Sequence, residues 1–133
     1  MFEGFEIISS YTRAQALDDG VLVAVPGEIS KEAGFRIPVA MTNAVFEDCV
    51  SWSTDDSESK RVAQDQSARL WNLMAAARFA AYRDQERSEL TFDVLREPKP
   101  GKAIRARRAQ LVMNIHPGDQ GEPIITIMRS DED

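Results

Sequence analysis

Nucleophilic chemistry in this chain would need Cys49, its only cysteine, or a serine close to His116, its only histidine. A thiol or hydroxyl nucleophile needs an imidazole and an orienting acid within hydrogen-bond reach. Cys49 and His116 fall on separate elements, and nothing in the spacing joins them. Cys49 lies in an apolar helical stripe, where a cysteine acts as a small buried hydrophobe. His116 stands where a strand runs into Pro117-Gly118, a position that suits either a working imidazole or a solvent-facing one. Metal sites need clustered ligands, so one cysteine and one histidine exclude a standard zinc site. Oxygen ligands for Mg²⁺ or Ca²⁺ could come from Asp55, Asp56 and Glu58, or from Asp119 and Glu122. Neither stretch has the full spacing of a cation loop, and both read as solvated loops. Phosphate-cradling glycine patterns are absent, because Gly118 and Gly121 belong to a hairpin-like turn. Neither a metal nor another cofactor is therefore expected. Carboxylate pairs carry no signal in a chain with 22 acidic residues.

Positive charge concentrates in Lys99, Lys102, Arg105, Arg107 and Arg108, with no acid between them. Such a patch could meet phosphates or an acidic protein. It has no interleaved aromatics for base stacking, however, and the whole chain carries −6, which argues against nucleic acid. A solvated edge strand whose basic residues discourage aggregation accounts for it better. Trp52 and Trp71 are read as core; either one, if exposed, would instead mark an interface.

The elements that must position these residues follow from periodicity and punctuation. Thr12 caps a short helix that Gly20 closes. Val21 to Val25 is a continuous β-branched run, stopped by Pro26 and Gly27, and should form a covered strand, central or joined at one edge. Ser30 to Ala33 makes at most one turn before Gly34, and Arg36-Ile37-Pro38 is extended. Thr42 caps a helix with the stripe Met41, Val45, Cys49 and Trp52. Ser53 to Lys60 holds no apolar residue and reads as a loop. From about Asp65 to Arg83 runs the longest helix, with Leu70, Leu73, Met74, Ala77 and Ala81 on one face and Trp71, Ala75, Phe79 and Tyr82 on the next. So wide an arc implies cover on more than one side, by this chain or by a second copy. Leu90, Phe92 and Val94 alternate as a strand, Ile104 to His116 makes a second, and Ile124 to Met128 closes a hairpin with it. The charged residues 130–133 should fray.

These elements predict an α+β two-layer sandwich. A mainly antiparallel sheet of about four strands, the last three a meander, is covered on one face by two principal helices. A chain of 133 residues makes one domain, 1–133. Met1 to Ile8 carries Glu3 and Glu6 and opens no basic-then-apolar leader, and no run of about 18 apolar residues occurs. With one cysteine, this points to a reducing, cytoplasmic setting away from membranes. Charge divides unevenly: residues 1–60 carry 11 acidic against 4 basic side chains, and residues 61–133 carry 11 against 12.

One resemblance runs through nearly the whole chain. Tyr11 to Leu17, Asp19 to Val23, Glu32 to Phe35, Ile37 to Ala40, Gln64-Asp65-Gln66, Arg69-Leu70-Trp71, Pro117-Gly118-Asp119, Gly121-Glu122-Pro123 and Ile125 to Met128 resemble a family of small bacterial proteins of unknown function. Its members occur in phage, prophage and plasmid neighbourhoods. The resemblance transfers no catalytic residue. It implies a setting in which small acidic proteins act as accessory factors that bind host or defence proteins, without catalysis. The binding residues would then be the acidic first half with Tyr11, Arg13 or Trp52. The alternative is a small ligand-binding domain or enzyme, its site formed where Tyr11 and Arg13, Gln64 and Asp65, and Asp119 converge. DNA mimicry would need carboxylates in phosphate-like rows, which the scattered acids do not form.

Overall fold

The computed structural model describes residues 11–60, 64–100 and 107–132. Their elements run α1 (Arg13–Asp18), β1 (Leu22–Ala24), α2 (Gly27–Glu32), β2 (Val39–Thr42), α3 (Asn43–Val45, continuing as a π-helix over Phe46–Val50), α4 (Thr54–Lys60), α5 (Gln66–Arg83), β3 (Glu89–Arg96), β4 (Arg107–Pro117) and β5 (Pro123–Arg129). The fold is α+β, as expected. Its sheet has five strands rather than four, in the order β1-β2-β5-β4-β3. The three last strands do form an antiparallel meander. β2 lies parallel to β5, Val39 opposite Ile125, and β1 is antiparallel to β2.

The extra strand is Val39–Thr42, which the sequence reading divided between an extended connection and the start of a helix. Met41 is 1 % exposed in this strand, not on the helix stripe. Helix α3 begins one residue after Thr42, whose hydroxyl accepts from Val45 N at 3.3 Å. The Val21–Val25 run shrinks to a three-residue, half-exposed edge strand, because Pro26 ends it and β2 takes the interior position. The basic strand is not an edge either: β4 sits between β5 and β3. Lys102, Arg105 and Ile104 lie outside the described residues.

Of the stretch Ser53 to Lys60, read as a loop, Thr54–Lys60 is helical. Ser53 Oγ accepts from Asp56 N at 3.1 Å and Asp56 Oδ2 accepts from Ser53 N at 3.0 Å. This reciprocal cap starts a helix with no buried residue. Of the tail, Asp133 lies outside the described residues; before it, Ser130 N donates to Gln110 O at 3.1 Å, and Glu132 Oε2 accepts from Thr42 Oγ1 at 2.8 Å.

The core lies between one sheet face and α3 with α5. Val39, Met41, Leu90, Phe92, Val94, Leu111, Met113, Ile125 and Ile127 meet Val45, Cys49, Leu73, Met74 and Ala77. Thr126 alternates with Ile125 and Ile127 and so points to the opposite face, where α1 lies and Arg13 reaches it. Helix cover is therefore not confined to one face.

Candidate functional site

At the β4–β5 end of the sheet, Thr12 and Gln15 close a reciprocal cap that starts α1. Asp119 in the hairpin turn then accepts from Arg13 N at 2.8 Å and Ala14 N at 3.0 Å. A carboxylate on the free amides of a first turn satisfies them and complements the helix dipole. The Arg13 guanidinium donates to Thr126 Oγ1 at 3.0 Å and Ile125 O at 3.3 Å. Burial lowers its pKa, with Asp119 and Glu122 opposing. His116 Nε2 lies 2.8 Å from Thr126 Oγ1, and Nδ1 lies 3.1 Å from Pro117 O. A carbonyl only accepts, so the consistent assignment protonates Nδ1 and lets Thr126 donate to Nε2.

The Thr126–His116 distance is that of a nucleophile and its base. Yet Thr126 is buried and its hydroxyl already accepts from Arg13, so its lone pairs and proton are spent within the fold. The arrangement fastens α1 and the hairpin turn to the sheet. Tyr11 hydroxyl donates to Asp19 Oδ2 at 2.9 Å across the ends of α1, and this bond raises its pKa.

Gln64 belongs to a second cluster, built around a residue that sequence reasoning passed over. Arg69 is 4 % exposed. Its Nε donates to Val50 O at 3.1 Å, Nη2 to Asp48 O at 3.2 Å, and Nη1 to Glu97 O at 2.9 Å and Gln64 Oε1 at 3.4 Å. Its guanidinium carbon lies 4.5 Å from the Trp52 ring centroid. The π-helix explains the geometry: Ser51 N donates to Phe46 O at 2.8 Å, and the widened turn aims the Asp48 and Val50 carbonyls, its negative end, at the guanidinium. The signal was in the sequence, since Arg69 precedes Leu73, Ala77 and Ala80 at the spacing of the buried stripe. Asp65 stands at the N-cap of α5 with no side-chain cap bond.

Trp52 is core, 8 % exposed, and its Nε1 donates to Ser57 Oγ at 2.8 Å. Cys49 is 2 % exposed, and burial, with Asp48 beside it, pushes its thiol up to about 11. Such a thiol is not a nucleophile near neutrality. Arg96 pairs with Asp48 at 2.9 Å, while Lys99 lies 3.4 Å from Asp56. Of the remaining basic strand, Arg108 is exposed, 3.8 Å from Asp93. A cavity of about 190 Å³ opens here, lined by Gln64, Arg69, Asn72, Arg96 and Glu97 among others. The structure thus joins Arg13 to Asp119, and gives Gln64 and Trp52 to the Arg69 cluster.

The third feature is apolar. Leu73, Met74, Ala77 and Ala80 of α5 are buried, but the far side of the helix is not covered: Trp71 is 41 %, Phe79 69 % and Tyr82 65 % exposed. At about 100° per residue, positions 71, 75, 79 and 82 lie opposite the buried stripe. Arg78 extends over Tyr82, 5.9 Å from its centroid. Its stem packs on Gly34, which has no side chain to block it and holds a φ of +103°; a Cβ there would come within 2.6 Å of Arg78 Nε.

Among the described residues, no group of three or more His, Cys, Asp or Glu could hold a metal ion, and no helix is long and apolar enough to cross a membrane. Comparison with known proteins gives one family. The chain belongs to DUF6573, a family of unknown function, which matches it over residues 1–133. No curated protein and no solved structure matches it.

Proposed function

We propose that this chain is a non-enzymatic accessory protein of a mobile element, acting in the cytoplasm by binding a host or defence protein through the outward face of α5. One observation carries the reading: Trp71 and Tyr82 stand exposed on the side of the helix away from its own core. Exposed aromatics spaced by helical turns are the anchors of helix-in-groove recognition. Arg78, stacked over Tyr82, adds a cation at their side, so the fitting partner offers an apolar groove with an acidic rim. The binding surface moves from the region of Trp52 to α5, because Trp52 is spent on Arg69 and Ser57. The groups able to do chemistry are likewise engaged in holding the fold: Cys49 is buried and protonated, and His116 is bonded through both ring nitrogens. The mobile-element setting rests on the resemblance described above.

The test is affinity capture of the tagged chain and of a Trp71→Ala/Tyr82→Ala variant from a host undergoing phage infection or plasmid transfer. A partner at fixed stoichiometry, lost with the double variant, supports the proposal. Absence of any stoichiometric partner refutes it, and a partner that the double variant retains refutes the surface. A second reading, a small anionic ligand in the cavity beside Arg69 and Arg96, is favoured by Arg96 Nε, which is buried without a hydrogen-bond partner among the described residues. A thermal-shift screen with small phosphates and carboxylates tests it, and no shift with any of them refutes it.

A further inference from the structure

The two edges of the sheet are treated differently. β1 is three residues long and Pro26 follows close behind it, the usual way a soluble protein blunts an edge. β3 is eight residues long and pairs with β4 without a bulge from Glu89 to Arg96. It contains no proline, glycine or lysine, and its other edge has no partner strand among the described residues. A long, regular, unguarded edge is a template for another strand. Beside it runs an open groove of about 350 Å³, bordered by Ala76, Phe79 and Arg83 of α5 and by Thr91, Phe92 and Asp93 of β3.

We propose that the occupant of this edge is a second copy of the chain, with β3 pairing antiparallel to β3 about a two-fold axis at Phe92 and the two five-stranded sheets becoming one. A two-fold perpendicular to the sheet keeps each residue on its own face, so one β3 residue must lie opposite its own copy. Charge selects which. Centring on Thr91 sets Glu89 against the other copy's Asp93, and centring on Asp93 sets that carboxylate against itself. Centring on Val94 leaves the Glu89 end unpaired. Centring on Phe92 pairs Leu90 with Val94, Thr91 with Asp93 and Glu89 with Leu95, with no like charges opposed.

The helix rim obeys the same axis. α5 borders β3 at Phe92, so the rotation turns the Ala76–Phe79 rim of one copy toward that of the other. A large side chain, 69 % exposed, and a small one a turn away then form a reciprocal knob and hole. Trp71 and Tyr82 stay on the outward side, so the dimer goes beyond the proposed function by presenting two aromatic faces.

Sedimentation equilibrium of the whole chain and of Phe79→Glu reads the interface. Because Phe79 is exposed, the variant keeps its fold, which circular dichroism checks. The expected result is a wild-type dimer whose dissociation constant rises at least about 30-fold on losing this anchor. Register is read by mixing Thr91→Cys with Asp93→Cys under mild oxidation. A cross-linked dimer should form in the mixture and from neither variant alone, since Thr91 faces Asp93 only across the axis. A wild-type chain that stays monomeric at every concentration overturns the proposal, as does a dimer that ignores Phe79→Glu or fails to cross-link in the mixture. These readouts leave Trp71 and Tyr82 untouched, so their failure is separable from that of partner capture.

Discussion

Replacing Arg69 with methionine tests whether this buried guanidinium holds three segments together. Methionine keeps most of the apolar stem and removes the charged fork. The fork makes four hydrogen bonds, three of them to the main-chain carbonyls of Asp48, Val50 and Glu97. Each bond to a charged group contributes about 1.5–3 kcal/mol, but they share one donor group and do not add. Deleting the donor also strands carbonyls in a site that is 4 % exposed, so the expected loss is that of breaking a buried charge network, about 3–5 kcal/mol. That is a large part of the roughly 5–15 kcal/mol that separates folded from unfolded domains. Urea unfolding followed by tryptophan fluorescence measures it, because Trp52 stacks on Arg69 and reports the same site. Arg69→Lys should recover less than half of the loss, since an ammonium cannot span carbonyls from separate segments. A midpoint for Arg69→Met that implies a loss under about 1 kcal/mol, within the range of ordinary surface changes, would refute the reasoning.

Cys49 should be inert to a thiol reagent in the native state near neutrality and react on unfolding. Its folded pKa is raised to about 11 from 9.0, so the unfolded thiol ionises first and stability falls as pH rises through that window, by about 2–3 kcal/mol in all; pH-dependent urea unfolding of the wild type against Cys49→Ala reads the difference. Ser53→Ala should speed amide exchange across α4 about fivefold, the usual worth of an N-cap. The Ser53 amide holds the Asp56 carboxyl below its ordinary value, so its support of α4 is complete above 3.8 and fades as pH falls through the lower folded value; exchange in acid shows whether the helix loosens there. Gly34→Ala should cost about 1–3 kcal/mol, from the positive φ and the approach to Arg78, and calorimetry would show it as a lowered melting temperature.

Local order was legible wherever a short-range rule acts alone. Thr12 and Thr42 cap helices because a hydroxyl needs only the amide three residues on. The long helix, the alternation through Leu90, Phe92 and Val94, and the Pro117–Pro123 turn follow from period and punctuation. The reciprocal cap of Ser53 and Asp56 was present too, but an all-polar composition hid it. The rest was decided by the tertiary structure. Val39–Thr42 is a strand because β5, far off in sequence, lies alongside it, and that pairing gives β2 the interior place and leaves Leu22–Ala24 at the edge. Arg69 shares the period of a core stripe, but which carbonyls neutralise it depends on where the π-helix and the end of β3 arrive. Of the residues expected to converge, Arg13 met Asp119 and Gln64 met Arg69, a division only the packing of α1 and α5 could make. The sequence alone determined which side chains on α5 are apolar. Which of them face the core depended on how wide a face the sheet could cover, and that left Trp71, Phe79 and Tyr82 outside.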